Sequence, residues 1–164
     1  SLAGVFAGTG QGFPPCTAQA CLELLNYYGV DPAGKRAVVV GRSLVIGRPA
    51  ALLLLSRNAT VTLCHTRTAD MAAECRRADI LVVAAGLAAA VGAQHLSPGQ
   101  VVLDVGINAA PDGSLTGDVD FEAAQSIVQA ITPVPGGVGA VTTSVLASHV
   151  VQAAARAAGI ALEA

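Results

Sequence analysis

The residues best suited to chemistry form a glycine turn near the middle of the chain. Gly41, Arg42 and Ser43 follow an apolar, β-branched run, and a helix-forming segment that contains Gly47 and Pro49 comes next. In such a strand–turn–helix junction, backbone N–H groups and the positive end of the helix dipole face the turn and favour an anion, such as a dinucleotide pyrophosphate. Ser43 replaces the glycine most often found there, so its hydroxyl or backbone is expected to donate to a displaced phosphate. A plain strand-to-helix turn is the alternative.

A second group of polar residues ends the next predicted strand, where His65, Thr66 and Arg67 follow one another. Sites selective for NAD place a carboxylate at this point to accept a hydrogen bond from the ribose 2′-hydroxyl. This run has no carboxylate, whereas guanidinium and hydroxyl groups attract a 2′-phosphate. Arg42, Thr66 and Arg67 are therefore predicted to meet that phosphate, which favours NADP over NAD. Each arginine taken alone is equally typical of a solvated surface.

Two further glycine clusters lie at predicted strand ends. One follows Asp104 and the other is the run 133–139, which carries three glycines and two prolines. The carboxyl ends of parallel strands meet at one edge of a sheet, so both loops should line the crevice that the glycine turn opens. Glycines permit close backbone approach to a flat ligand, and the prolines stiffen the loop. A helix-entry turn built for steric reasons is the alternative.

For the remaining polar residues, the sequence does not distinguish clearly between a functional and a structural role. Asp104 is a candidate acid or base, although strand-end aspartates usually serve structural hydrogen bonds. Asp118 is predicted to cap a helix rather than to act in catalysis. His65 is expected to contact the cofactor or to pack, whereas His95 and His149 are expected to be structural or solvated. No group of residues has metal-ligand spacing, so no metal is predicted.

The order of elements predicts an α/β fold. Strands are expected over 37–40, 59–65, 79–85, 101–106 and 131–134, with helices over 18–28, 47–56, 71–77, 121–130 and 141–158. The expected helix caps are Thr17, Asp70, and either Asp118 or Asp120. Strands that alternate with helices imply right-handed crossovers and a parallel sheet. The sequence therefore predicts a doubly wound, Rossmann-like domain with a mostly parallel sheet over 14–164, after an irregular leader over 1–13.

The composition of the chain limits which classes of binding partner are expected. The net charge is −2 and there are only five aromatic residues (Phe 3, Tyr 2, Trp 0), so neither a basic stripe nor stacking platforms for nucleic acid are present. No uninterrupted apolar run reaches the roughly 18–20 residues of a membrane span. The four cysteines are scattered among apolar neighbours, which indicates reduced, buried thiols and a cytoplasmic protein. A hydrophobic fraction of 53% indicates either surface covered by a subunit or another domain, or an alanine-rich core.

Several motifs, taken in order and spacing, resemble one enzyme family. They are Pro15-Cys16-Thr17, Gly41-Arg42-Ser43-x-x-x-Gly47-x-Pro49, Asp104-Val105-Gly106-Ile107-Asn108, Gly117-Asp118-Val119 and Pro133-Val134-Pro135-Gly136-Gly137-Val138-Gly139. The chain is thereby similar to the bifunctional methylenetetrahydrofolate dehydrogenase/methenyltetrahydrofolate cyclohydrolases over about nine-tenths of its length.

The resemblance implies that NADP accepts a hydride from 5,10-methylene-tetrahydrofolate and that water then opens the methenyl cation to 10-formyl-tetrahydrofolate. It also implies a homodimer. By the resemblance, the expected cofactor contacts are Gly41, Arg42, Ser43, Thr66 and Ile107. The residue types at the end of the second predicted strand add His65 and Arg67. The loop beside the nicotinamide and the folate would comprise Pro135, Gly136, Gly137, Val138, Gly139 and Thr142.

The sequence departs from the family pattern in two respects. Ala18, Ala140 and Val141 replace residues usual in the family, without removing a reactive group. The family's catalytic lysine belongs to an N-terminal domain that has no counterpart here, and the single lysine, Lys35, lies in an unrelated turn. We therefore expect no catalytic residue in these 164 residues and little activity without that domain. A stand-alone nucleotide-binding or regulatory module, or another NADP oxidoreductase domain of the shikimate-dehydrogenase type, is the alternative.

Overall fold

The computed structural model describes Gly4 and residues 12–161, so most of the predicted leader lies outside the described residues. Seven strands are present there: β1 (Arg36–Val40), β2 (Thr60–Cys64), β3 (Ile80–Val83), β4 (Val101–Asp104), β5 (Asn108–Ala109), β6 (Leu115–Thr116) and β7 (Ala130–Ile131). Five of them form a parallel sheet in the order β2-β1-β3-β4-β7, and β5 and β6 form an antiparallel hairpin that the sequence did not predict.

Within residues 12–161, five α-helices flank the sheet: α1 (Cys16–Tyr27), α2 (Gly47–Ser56), α3 (Met71–Arg76), α4 (Phe121–Ala124) and α5 (Val138–Ala158), with a 3₁₀ turn over Ala93–His95. The side chains of strand β1 show which helices lie on each face of the sheet. Val39 packs in the core cluster that contains α1, α2 and α5, whereas Val38 and Val40 pack in the cluster that contains α3 and α4. Side chains alternate between the faces of a strand, so helices cover both faces of the sheet. The predicted doubly wound, Rossmann-like fold is confirmed.

The chain order places a topological switch point between β1 and β3. Strand β1 pairs with β2 on one side and with β3 on the other, and all of these pairings are parallel. The connections that leave β1 and β3 therefore run in opposite directions across the sheet, and a crevice opens between them at the carboxyl edge. Ligands of open α/β sheets bind in such crevices.

Helix ends confirm some expectations and correct others. Asp70 caps α3 by accepting from the N–H of Ala73, and Asp120 rather than Asp118 caps α4. Thr17 is not a cap, because α1 already begins at Cys16 after Pro15 and its start has no side-chain cap. Helix α5 begins at Val138, three residues earlier than expected.

Helix α4 is much shorter than the predicted 121–130. The carbonyl oxygen of Gln100 accepts hydrogen bonds from the N–H groups of Gln129 and Ala130, at 2.9 and 3.3 Å. Because this pairing starts the short edge strand β7, the backbone leaves the helix well before residue 129. Sheet pairing therefore takes precedence over local helix propensity here.

Helix α5 is the one helix in the described part of the chain that is long and apolar enough to cross a membrane by length and composition, and 17% of its most apolar window is buried. Length and composition are weak grounds, since helices of soluble proteins meet them too. Helix α5 leaves Leu146, Val150 and Val151 more than half exposed. Alanines fill much of the core around α1 and α2. The exposed apolar side chains of α5 therefore agree with a surface that a subunit or another domain covers. The buried alanines agree with an alanine-rich core.

Candidate functional site

The glycine turn lies at the switch point and requires its glycines for steric reasons. Gly41 has a φ of +115°, and a Cβ there would collide with the carbonyl oxygen of Ala84, on the loop that leaves β3. A Cβ on Gly47 would likewise collide with the carbonyl oxygen of Gly41. The turn is thus folded tightly between the start of α2 and the β3 loop. Any side chain at either glycine would force these segments apart.

Ser43 organises this turn from within. Its Oγ accepts hydrogen bonds from the N–H groups of Ile46 at 3.1 Å and Gly47 at 3.3 Å, and its carbonyl oxygen accepts from Arg48. The serine therefore holds the turn against the first residue of α2, a role that its sequence position did not reveal. The backbone N–H groups of residues 42–45 have no hydrogen-bond partner among the described residues. They are the donors that the turn leaves for an anion.

The end of β2 lies directly beside this turn. Val40 is in register with Cys64, and the N–H of Gly41 donates to the carbonyl oxygen of Cys64 at 2.9 Å. The segment after β2 is a compact turn in which Nδ1 of His65 accepts from the N–H of Arg67 at 3.1 Å. His65 thus shapes the turn, a packing role that leaves Nε2 free for a ligand.

Two exposed guanidinium groups flank the junction between β1 and β2. Arg42 and Arg67 are both exposed, and neither has a carboxylate within ion-pair distance among the described residues. The nearest acid along the chain after β2 is Asp70, whose carboxylate is occupied as the cap of α3. Together with the exposed Thr66, these arginines remain candidates for contact with a phosphate.

A cleft of about 480 Å³ opens along the same edge of the sheet. It brings together the loop after β4, the loop after β7 and the first turn of α5, with Thr17 and Ile46 at its sides. All of the predicted loop residues and Ile107 line it: Ile107, Pro135, Gly136, Gly137, Val138, Gly139 and Thr142. The Thr142 hydroxyl donates to the carbonyl oxygen of Val138 at 3.1 Å, so only its lone pairs remain for a ligand.

The loop after β7 requires its glycines for steric reasons. Gly136 has a φ of +96°. A Cβ on Gly137 would collide with the carbonyl oxygen of Pro133 and approach Cβ of Thr132 to 2.9 Å. The loop therefore presents backbone and apolar atoms to the cleft, which suits a flat, partly apolar ligand.

Asp104 has a structural environment. It is 3% exposed, and its carboxylate accepts from the N–H groups of Gly106, Asp118 and Val119 at 2.9 to 3.0 Å. Burial raises the pKa of the Asp104 carboxyl, and these three hydrogen bonds oppose the rise. With both oxygens engaged, Asp104 fixes the loop, and it is also one of the residues that line the cleft.

The helix-cap interpretation of Asp118 is wrong. Asp118 is completely buried, and its carboxylate accepts from the N–H of Gly86 at 2.7 Å and from the side-chain amide of Asn108 at 2.9 Å. It therefore ties the loop after β3 to the β5–β6 hairpin. Only the tertiary structure brings these segments together, so no sequence signal marked this role.

The other histidines and the cysteines are mostly structural. His95 is buried and accepts from the N–H of Gly92 at 3.1 Å, and His149 is buried between α1 and α5. Three cysteines are buried, but Cys16 is only partly so, contrary to the expectation of four buried thiols. Within residues 12–161, His, Cys, Asp and Glu form no group of three or more suited to a metal ion.

A doubly wound parallel sheet with a glycine turn and two strand-end loops around its switch point defines a dinucleotide-binding domain of the Rossmann class. The family model described as tetrahydrofolate dehydrogenase/cyclohydrolase, NAD(P)-binding domain, matches residues 15–158. The chain belongs to this family.

Individual relatives agree with this assignment. The chain is 58% identical over 151 residues to the bifunctional protein FolD of Carboxydothermus hydrogenoformans, which covers 91% of this chain and 53% of that protein. The crystal structure of the FolD methylenetetrahydrofolate dehydrogenase/cyclohydrolase of Campylobacter jejuni is similar with a TM-score of 0.91 and 41% identity, over 94% of this chain and 55% of that one.

A second solved structure is similar at 41% identity with a TM-score of 0.83, over 90% of this chain and 53% of that one. It is the Trypanosoma brucei methylenetetrahydrofolate dehydrogenase-cyclohydrolase complexed with NADP and an inhibitor. The chain thus spans about half the length of the relatives that it matches.

Proposed function

We propose that this chain is the NADP-binding domain of a bifunctional 5,10-methylenetetrahydrofolate dehydrogenase/5,10-methenyltetrahydrofolate cyclohydrolase. One observation supports this most strongly. The glycine turn, the loop after β4 and the loop after β7 meet at one sheet edge, around a cleft continuous with the turn through Ile46. An extended dinucleotide needs such a site, with a polar surface for its phosphates and a more apolar cleft for its ring.

The pyrophosphate end is assigned to Gly41, Arg42 and Ser43. The N–H groups of residues 42–45 are without partners in the described chain, and they would donate to the phosphate oxygens. Ser43 would hold the turn in shape through its bonds to Ile46 and Gly47 while its own hydroxyl proton remains available.

The preference for NADP over NAD is assigned to the β2 end. Arg42 and Arg67 are exposed without acidic partners among the described residues, and Thr66 adds a hydroxyl. His65 would support this surface by fixing the backbone of Arg67. A 2′-phosphate gains charge-assisted hydrogen bonds there, whereas a bare 2′-hydroxyl finds no carboxylate to receive its proton. The Trypanosoma brucei relative was solved as a complex with NADP, which supports NADP as the cofactor.

The cleft is assigned to the reacting rings. Ile107 is 65% exposed on one wall, and residues 135–139 with Thr142 form the other. These residues would exclude water and orient the ring faces, and NADP supplies the hydride acceptor when bound. No residue of this chain is assigned a catalytic role. Lys35 precedes β1, so it lies at the amino edge of the sheet, opposite the cleft.

The whole reaction therefore requires groups from the half of the relatives that this chain does not match. We propose that the folate substrate binds between the cleft and that half, and that this polypeptide alone turns over little substrate. We further propose a homodimer in the cytoplasm, without nucleic-acid or membrane partners. The low charge and few aromatic residues support the absence of nucleic acid.

Calorimetric titration of this chain with NADP and with NAD tests the assignment. We expect NADP to bind at least about tenfold more tightly, because one charge-assisted pair contributes about 1.4 kcal/mol or more. Equal affinities, or no binding of either, would refute the site. A parallel assay of methylenetetrahydrofolate oxidation should give little turnover, and substantial turnover by this chain alone would refute the absence of a catalytic group.

A further inference from the structure

Helices α1 and α5 bring a thiol, an imidazole and an amide together outside the dinucleotide site. Cys16 is the first residue of α1, and its Sγ lies 3.6 Å from Nδ1 of His149 on α5. The other ring nitrogen, Nε2, lies 2.7 Å from Oε1 of Gln19, one turn along α1. These residues are separated by about 130 positions in the chain, so the arrangement exists only in the folded domain.

Hydrogen-bond chemistry fixes the direction of this chain of contacts. Nε2 of Gln19 donates to the carboxylate of Glu23 at 3.0 Å, because a carboxylate only accepts. The amide oxygen of Gln19 therefore faces His149, whose Nε2 must carry the proton that is donated to it. The lone pair of Nδ1 is then directed at Cys16, as a base that receives a thiol proton requires.

The surroundings keep that imidazole in its neutral, basic form. Burial lowers the pKa of His149 and Arg156 lowers it further, whereas Glu23 acts in the opposite direction. The ring of Phe13 packs on the imidazole with centroids 4.6 Å apart, and the Arg156 guanidinium lies over the same phenyl ring. His149 thus has a fixed orientation, with its Nδ1 lone pair directed at the Cys16 thiol.

The other three thiols have opposite surroundings. Cys21, Cys64 and Cys75 are all buried, and burial raises the pKa of Cys21 and of Cys75 to about 12. Burial also raises the pKa of Cys64. Cys16 alone among the four is partly exposed.

We propose that Cys16 is a site of reversible S-thiolation by small disulfides, with His149 as the base. Nδ1 takes the thiol proton as Sγ attacks one sulfur of the disulfide. A mixed disulfide on Cys16 forms while the original S–S bond breaks, and the departing thiolate takes the proton from the imidazolium and leaves as a thiol. Cys16 is oxidised and the small disulfide is reduced. Thr17, the next residue, lines the cleft, so the added group lies close to its α1 side.

The test uses the folded chain and glutathione disulfide, with the mass of the intact protein followed over time and the modified residue located by peptide mapping. We expect a single addition, on Cys16, while the other three thiols react only in denaturant. The rate should exceed that of an unstructured peptide with the sequence of residues 12–20 by about tenfold or more, the scale of assistance by a positioned base.

Two substitutions separate activation from exposure. H149N should lower the rate of addition about tenfold or more, and Q19L should lower it less, because the imidazole remains but loses its fixed tautomer. H95N, which changes a buried histidine elsewhere, is the matched control and should leave the rate unchanged. Addition at another cysteine, or a rate on folded Cys16 no greater than that of the peptide, would overturn the proposal. The peptide comparison decides the matter even if H149N does not fold.

Discussion

The backbone N–H of Asp118 donates to the buried carboxylate of Asp104 at 2.9 Å, so two acidic residues 14 positions apart share one hydrogen-bond network. This network joins the loops after β3 and β4 to the β5–β6 hairpin. Three of the segments at the carboxyl edge of the sheet are thus held by one hydrogen-bond network.

Asp118→Ala should destabilise the domain by about 2–4 kcal/mol, because it empties a fully buried position, removes the acceptor of the Gly86 N–H and leaves the Asn108 amide with only the Gly117 carbonyl. Urea unfolding followed by circular dichroism measures the change. Asp112→Ala, which removes a carboxylate from the exposed turn of the same hairpin, should leave the unfolding midpoint where it is. Equal effects of the two substitutions would contradict a structural role specific to Asp118.

Gly41→Ala should destabilise the domain by about 2–5 kcal/mol, since a methyl group there meets the Ala84 carbonyl and the backbone φ is positive. Gly113→Ala is the control, because Gly113 also has a positive φ but no atom within 4 Å of the added Cβ. That variant should lose only about 1–2 kcal/mol from backbone strain. Thermal unfolding of both variants separates the steric contribution, and equal losses would argue against close packing of the turn.

Arg42→Ala should raise the dissociation constant for NADP about 10- to 100-fold and that for NAD by no more than about threefold, if its guanidinium meets the 2′-phosphate. Arg57→Ala removes another exposed arginine, which lies at the end of α2 away from the cleft, and should change neither constant. Calorimetric titrations of both variants with both dinucleotides provide the comparison. Equal losses for NADP and NAD would remove Arg42 from the 2′-phosphate.

The stability of the domain should depend on pH through His149. Its pKa is lowered from 6.5 in the folded chain, so folding favours the neutral ring. The stabilisation from this group is complete above the unfolded value of about 6.5 and is lost as the pH falls below it. The free energy of unfolding of the wild type should therefore decrease on acidification through that range.

His149→Gln should reduce this pH dependence, and urea unfolding at a series of pH values measures the difference from the wild type. His95→Gln should retain the wild-type slope, because this substitution leaves His149 and its charged neighbours, Arg156 and Glu23, unchanged. A His149→Gln variant with the same slope as the wild type would show that another group titrates.

The fold could be predicted because the strongest pattern in the sequence, short apolar strands between helical segments, reports burial on both faces of a sheet. The location of the candidate site followed from the same pattern, since strand ends of a parallel sheet share one edge. Gly47–Ser56 even has its predicted bounds, because Gly47 and Pro49 mark its first turn.

Other features depend on contacts that no local pattern encodes. The β5–β6 hairpin has two residues in each strand, too few for a recognisable period. Asp118 was assigned to a helix end because aspartate is common there, yet its partners are supplied by Gly86 and Asn108 from distant segments. The pairing of Cys16 with His149 likewise follows from the packing of the first described helix on the last.

Ser43 has a consequence for how an anion would be recognised. Because its Oγ already accepts from two peptide N–H groups at the entrance of α2, those two donors are engaged from inside the protein. A bound diphosphate would be recognised through the four backbone N–H groups of residues 42–45 more than through the helix dipole. Selectivity at this end would then vary with the conformation of a single tight bend, and salt would weaken it less than it weakens a purely coulombic attraction.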